Sequence, residues 1–82
     1  MNNSFYNDFA ARFAAGTLTS LVETFNSQVG NRGFNSMRAV HDRALIDELV
    51  RRGIDVSAVF DGTTISFAHH VVLGNNSLVI NK

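Results

Sequence analysis

The sequence predicts an α+β fold in which three N-terminal helices pack on a C-terminal three-stranded antiparallel β-meander. Three observations carry this expectation. Up to Gly53 the apolar residues recur at helical intervals. Beyond Gly53 they alternate with polar residues, as in strands. Two turn signals, Asp61-Gly62 and Gly74-Asn75-Asn76-Ser77, divide that second part into three short runs. Short turns make sequential strands antiparallel neighbours. The helices are then the only material that can cover one face of the sheet.

A first helix is predicted over residues 4–15. Ser4 can cap it, Phe5, Phe9 and Phe13 fall on one stripe, and Gly16 sits where a glycine ends a helix. A second is predicted over 17–28, with Thr17 or Thr19 as cap and Leu21, Val22, Phe25 and Val29 at helical spacing. Gly30-Asn31-Arg32-Gly33-Phe34-Asn35-Ser36 then reads as a loop, ending in Asn35 or Ser36 as the next cap. The third helix is predicted over 36–52. Arg38/Asp42, Arg43/Asp47, Asp47/Arg51 and Glu48/Arg52 are spaced i,i+4 along it. Its apolar residues divide between two sides, Met37, Val40 and Ala44 against Leu45, Ile46, Leu49 and Val50, so different neighbours should cover its two ends. Strands are predicted over 54–60, 64–73 and 78–81. The expected core is Phe9, Phe13, Leu21, Phe25, Leu45, Leu49, Val56, Phe67, Val71 and Ile80.

Composition narrows the function. The chain has 82 residues, and domains of this size have a thin stability margin. It has no cysteine, so neither a disulfide nor a thiolate metal site can supplement the core. Formal net charge is zero, which argues against a general polyanion ligand. Positive charge is nevertheless concentrated in residues 31–52, with five arginines against Asp42, Asp47 and Glu48. No apolar run approaches the ~18 residues of a membrane span. No basic leader precedes an apolar segment in the first twenty residues, so a cytoplasmic location is expected.

No catalytic or cofactor signature is present. Neither a GK[ST] phosphate loop, nor G-x-G-x-x-G, nor G-x-S-x-G, nor H-E-x-x-H occurs. His69 and His70 are adjacent on a predicted strand and would face opposite ways, which does not suit a metal site. A chain this short also has little expected room for a cleft of ~300 Å³. The expectation is therefore a non-enzyme without cofactor or metal.

Two binding surfaces stand out. The loop residues Asn31, Arg32, Gly33, Phe34, Asn35 and Ser36 combine backbone N–H groups, an arginine and a helix N-terminus, which suits an anion or a protein partner. An ordinary turn between two caps would look the same. Alternatively, the second and third helices resemble a helix-turn-helix, with Arg32, Arg38, His41 and Arg43 as DNA contacts. Against that, the turn is long, the Asp61-Gly62 tip lacks lysine, and acids interleave the third helix. Val71-Val72-Leu73 and Leu78-Val79-Ile80 form an apolar sheet edge with no protecting lysine, which favours a homodimer or a protein partner.

The stretches Phe25–Phe34, Arg51–Ala58 and Ile65–Ala68 resemble a set of short bacterial hypothetical proteins associated with gut bacteria and mobile elements. The likeness covers residues 25–72. It implies a unit that stands alone as an accessory of mobile elements, and it implies no activity, ligand or catalytic residue.

Overall fold

The computed structural model describes residues 4–31, 33 and 35–81. Helices α1 (Ser4–Ala15), α2 (Leu18–Ser27) and α3 (Ser36–Arg51) precede strands β1 (Val71–Leu73) and β2 (Leu78–Ile80). The class is α+β, three helices followed by a two-stranded antiparallel sheet.

Local chemistry sets the helix ends. The Thr17 hydroxyl accepts the Ser20 N–H at 3.0 Å and caps α2. Asn35 Oδ1 accepts the Arg38 N–H at 2.8 Å and caps α3. At the far end of α3, Gly53 N–H donates to the Val50 carbonyl and Ile54 N–H to the Leu49 carbonyl, a Schellman pair. It requires a left-handed residue, and Gly53 has φ +83°. Ile54, buried, closes the motif over Leu49.

Helix α3 is the centre of the packing. It contacts α1 along its length and α2 more briefly, and α2 in turn meets β1. Its middle is buried on most sides: Asp42, Ala44, Leu45, Ile46, Glu48 and Leu49 are all covered. Met37 and Val50, expected to pack on opposite sides, are exposed near its two ends. Phe13, Leu21 and Phe25 meet α3 from the other helices, and Ile54, Val56, Val59, Val71 and Leu78 complete the core. Phe9, Phe67 and Ile80, expected inside it, are partly buried against its margin.

The meander is the main difference from the sequence-based expectation. Only its last two stretches are paired, with Val71 opposite Ile80, Val72 opposite Val79 and Leu73 opposite Leu78. Residues 54–60 enter two isolated bridges, Asp55 with Ser77 (parallel) and Phe60 with Ile65 (antiparallel). The reason is local. Asp55 N–H reaches the Asn76 carbonyl and Leu78 N–H reaches the Asp55 carbonyl, so a parallel ladder starts. Its next rung would take the Ser57 N–H across to β2. Asp55 Oδ1 takes that N–H instead, at 2.8 Å. The Val56 carbonyl then accepts both Val59 and Phe60 N–H, and the chain turns away. Within the predicted 64–73 strand, only Val71–Leu73 is strand, and His69 is exposed.

Asn26 joins the helices to the sheet. Its side-chain amide donates to the Val71 carbonyl at 2.9 Å and accepts the Val71 N–H at 2.8 Å. One side chain thus occupies the outer edge of β1, as a neighbouring strand would. Asn26→Ala removes both bonds and strands two backbone groups at a core residue. It is expected to cost about 1–3 kcal/mol and to speed exchange of the Val71 amide well beyond that of α3 amides. Equal exchange at Val71 in both proteins would refute this role.

Candidate functional site

A concavity lies between the N-terminal half of α3 and the turn that connects Phe60 to Phe67. Its volume is about 430 Å³. That exceeds the room expected of a chain this short, because residues 54–67 arch over α3 rather than lie flat in a sheet. Arg38, Ala39, Asp42 and Arg43 form the α3 side. Phe60, Ile65 and Phe67 form the opposite wall, and Thr63, Thr64 and Asn31 complete the lining.

The Asp61-Gly62 turn holds that wall in place. Asp61 Oδ1 accepts the N–H groups of Thr63 at 2.9 Å and Thr64 at 2.7 Å, and Gly62 takes φ +100°. These bonds hold the Asp61 carboxyl below its ordinary value, Thr64 first and then Thr63. Ser66 N–H reaches back to the Val59 carbonyl at 2.7 Å. Ile65, which bridges Phe60, is presented to the cleft between two phenylalanines.

Each phenylalanine carries an arginine. The Arg38 guanidinium lies 5.4 Å from the Phe67 ring centre, and that of Arg43 lies 5.3 Å from the Phe60 ring centre. The two cations otherwise differ. Arg38 is spent internally: Nε donates to Gln28 Oε1 at 2.9 Å, Nη2 to the Gln28 carbonyl at 3.3 Å, and Nη1 to the carbonyls of Asn31 and Gly33. It also pairs with Asp42 at 3.4 Å. Arg43 pairs through Nε with Asp47 at 3.0 Å, and its side chain is 53% exposed. Asp47 is steadied from behind by the Tyr6 hydroxyl, which donates to Oδ2. That bond is the main cause that raises the Tyr6 phenol above its ordinary value, with burial adding to it.

The residues singled out in the sequence are thereby sorted. Asn31, Arg38 and Arg43 meet in the cleft. His41 does not: it packs edge-on to Phe9 and Phe13, with ring centres 5.0 and 5.2 Å away, and its Nδ1 lies 3.0 Å from Asp42 Oδ1. Arg32 and Phe34 lie outside the described residues. Within the described part of the loop, Gly33 N–H is taken by Asn31 Oδ1 and Asn35 is the α3 cap. Ser36 opens the helix. The loop carbonyls of Asn31 and Gly33 converge on Arg38. The described geometry is that of a turn clasped by a cation, with its carbonyls turned inward. Asp47/Arg51, one of the expected helical pairs, is replaced by Arg51 bonding Glu48.

The wall of the cleft was missed in the sequence. Its signal was there: Phe60, Ile65 and Phe67 flank an Asp-Gly turn at a spacing that puts them on one side. The sequence pattern places Phe67 in the core and Ile65 on a continuous strand, which hides their common surface. Among the described residues, no three His, Asp or Glu side chains come together as a metal ion would need. Among the described residues, no helix is long and apolar enough to cross a membrane.

No family model, curated protein or solved structure matches the chain.

Proposed function

We propose that this chain is a non-enzymatic protein-interaction module that self-associates through the outer face of its β1–β2 hairpin. One observation carries the reading: Val72 and Val79 stand 45% and 44% exposed, on a segment with no charged residue from Val71 to Asn81. Val72 and Val79 are cross-strand partners, so their side chains form one apolar surface. Such a surface favours burial against another protein.

Two features favour the face over the edges. Asn26 occupies the outer edge of β1 at Val71. Asp55 occupies the outer edge of β2 from Asn76 to Leu78. Addition of a long strand is obstructed on both sides, whereas the face is open. A cytoplasmic accessory of a mobile element, as the sequence resemblance implies, is part of the same proposal. The helix-turn-helix alternative draws less support, because Arg38 is committed to internal acceptors and His41 to Phe9, Phe13 and Asp42.

Light scattering after size exclusion tests the proposal. The unaltered chain is expected to run as a dimer at micromolar concentration. Val79→Lys places a charge in the middle of the face and should yield a monomer. Because Val79 is exposed, its melting temperature should change little beyond the loss of association. A monomeric parent chain, or a dimeric Val79→Lys chain, would reject the hairpin face as the interface.

A further inference from the structure

We propose that the cleft between α3 and the Phe60–Phe67 turn takes an extended peptide segment of a partner protein, one that carries a carboxylate beside an aliphatic side chain. This surface is separate from the hairpin face and does not depend on self-association.

Three features of the cleft converge on that chemistry. The first is a cation held ready. Arg43 is fixed by Phe60 beneath its guanidinium and by Asp47 on its Nε. Among the described residues its two terminal nitrogens have no hydrogen-bond partner. They form the end-on fork that a carboxylate accepts with both oxygens. Asp42, the acid of the lining, is answered by Arg38 at 3.4 Å and His41 at 3.0 Å, so it does not compete for that fork.

The second is a stretch of backbone with unpaired donors beside the isolated Phe60–Ile65 bridge. Ser66 N–H points inward to the Val59 carbonyl. In an extended chain the neighbouring N–H groups of Ile65 and Phe67 point the other way. Among the described residues neither has a partner. A peptide laid along this stretch supplies the missing acceptors, the usual logic of strand addition.

The third is the floor. Ile65 lies between Phe60 and Phe67, partly buried and open to the cleft. A strand laid here directs alternate side chains toward that floor. An aliphatic side chain suits the space between the rings, and an acidic neighbour reaches Arg43.

A displayed library of random heptapeptides, panned on the full chain and counter-selected on Arg43→Gln, tests the proposal. Enriched peptides should carry Asp or Glu next to, or two positions from, Val, Ile or Leu. A synthetic peptide of the enriched sequence should shift the amide signals of Ile65 and Phe67 in a nitrogen–proton correlation spectrum. Arg43→Gln should weaken its binding about tenfold or more, and Arg43→Lys, which keeps the charge but loses the fork, should weaken it too. Exchange of the peptide's acid for its amide should do the same. Arg43→Gln should leave the oligomeric state unaltered and Val79→Lys should leave peptide binding unaltered, so the two surfaces can fail separately. No enrichment, enrichment without an acid, or shifts confined to the β1–β2 hairpin would each overturn the assignment. Shifts at Ile65 and Phe67 that grow with the concentration of the chain alone would also overturn it, since a second copy would then be the occupant.

Discussion

A Phe25→Ala chain is expected to lose about 3–5 kcal/mol of folding stability, the range for deleting a buried ring. Phe25 is fully buried, and its ring centre lies 4.7 Å from that of Phe67. It joins α2 to the core that α3 fills with Leu45, Ile46 and Leu49, and through Phe67 it supports the wall of the cleft. A chain of 82 residues has a total stability of about 4–12 kcal/mol. The substitution therefore removes a large part of it and can unfold the protein near room temperature. Urea titration followed by circular dichroism gives the midpoint. Phe25→Leu, which keeps more of the volume, should lose clearly less. Phe5→Ala is the control: Phe5 is largely exposed and should move the midpoint hardly at all. Comparable losses for Phe5→Ala and Phe25→Ala would mean that the core does not centre on α2 and α3.

Phe25 was legible in the sequence because the helices announce themselves locally. Leu21 and Phe25 are one turn apart, Thr17 and Asn35 are capping residues, and Gly53 sits where a left-handed residue must stand. Each signal spans only a few residues. The β half depends on choices that periodicity does not record. Ile54, Val56, Ala58 and Phe60 alternate convincingly, yet the Asp55 side chain outcompetes the ladder for one N–H and the Val56 carbonyl captures two more. Nothing in the local pattern marks Asn26, whereas its amide does the work of a strand edge 45 residues away.

The charged residues were legible as pairs but not as buried pairs. Arg38/Asp42 and Glu48/Arg52 have ordinary helical spacing, which usually describes a solvated face. Here the side chains of Asp42 and Glu48 are only 4% and 5% exposed. The cleft followed the same pattern. Arg38 and Arg43 were identified as notable cations, but their stacking on Phe67 and Phe60 depends on how the 54–67 segment folds over α3, and no short-range spacing encodes that.

Glu48 is the site where that burial has its largest consequence. Its Oε1 accepts Arg51 Nε at 2.9 Å, while Oε2 accepts Arg51 Nη2 at 2.5 Å and Arg52 Nε at 2.6 Å. Arg52 then reaches across to α1, where Nη2 lies 2.9 Å from the Phe13 carbonyl, 3.3 Å from that of Ala14 and 2.7 Å from that of Gly16. A cation of α3's C-cap thus closes the end of α1, and Glu48 aims it there. Glu48→Gln removes the charge that balances two arginines and is expected to cost about 2–3 kcal/mol. Its effect should also depend on pH. The hydrogen bond from Arg51 holds the Glu48 carboxyl below its ordinary value of 4.5; burial opposes this, and Arg52 adds to it. As acid is added, the unfolded chain binds this proton first. The stabilisation is complete above the unfolded value and disappears as pH falls through the lower folded value. The parent should therefore lose melting temperature more steeply than Glu48→Gln between about pH 5 and about pH 3, and the two curves should converge at the acid end. Asp55 and Asp61, whose carboxyls are lowered by backbone N–H groups of Ser57 and of Thr64 and Thr63, leave a residual slope of the same sign in the variant. Parallel melting curves across that interval would show that Glu48 does not couple the end of α3 to the end of α1 as a charge.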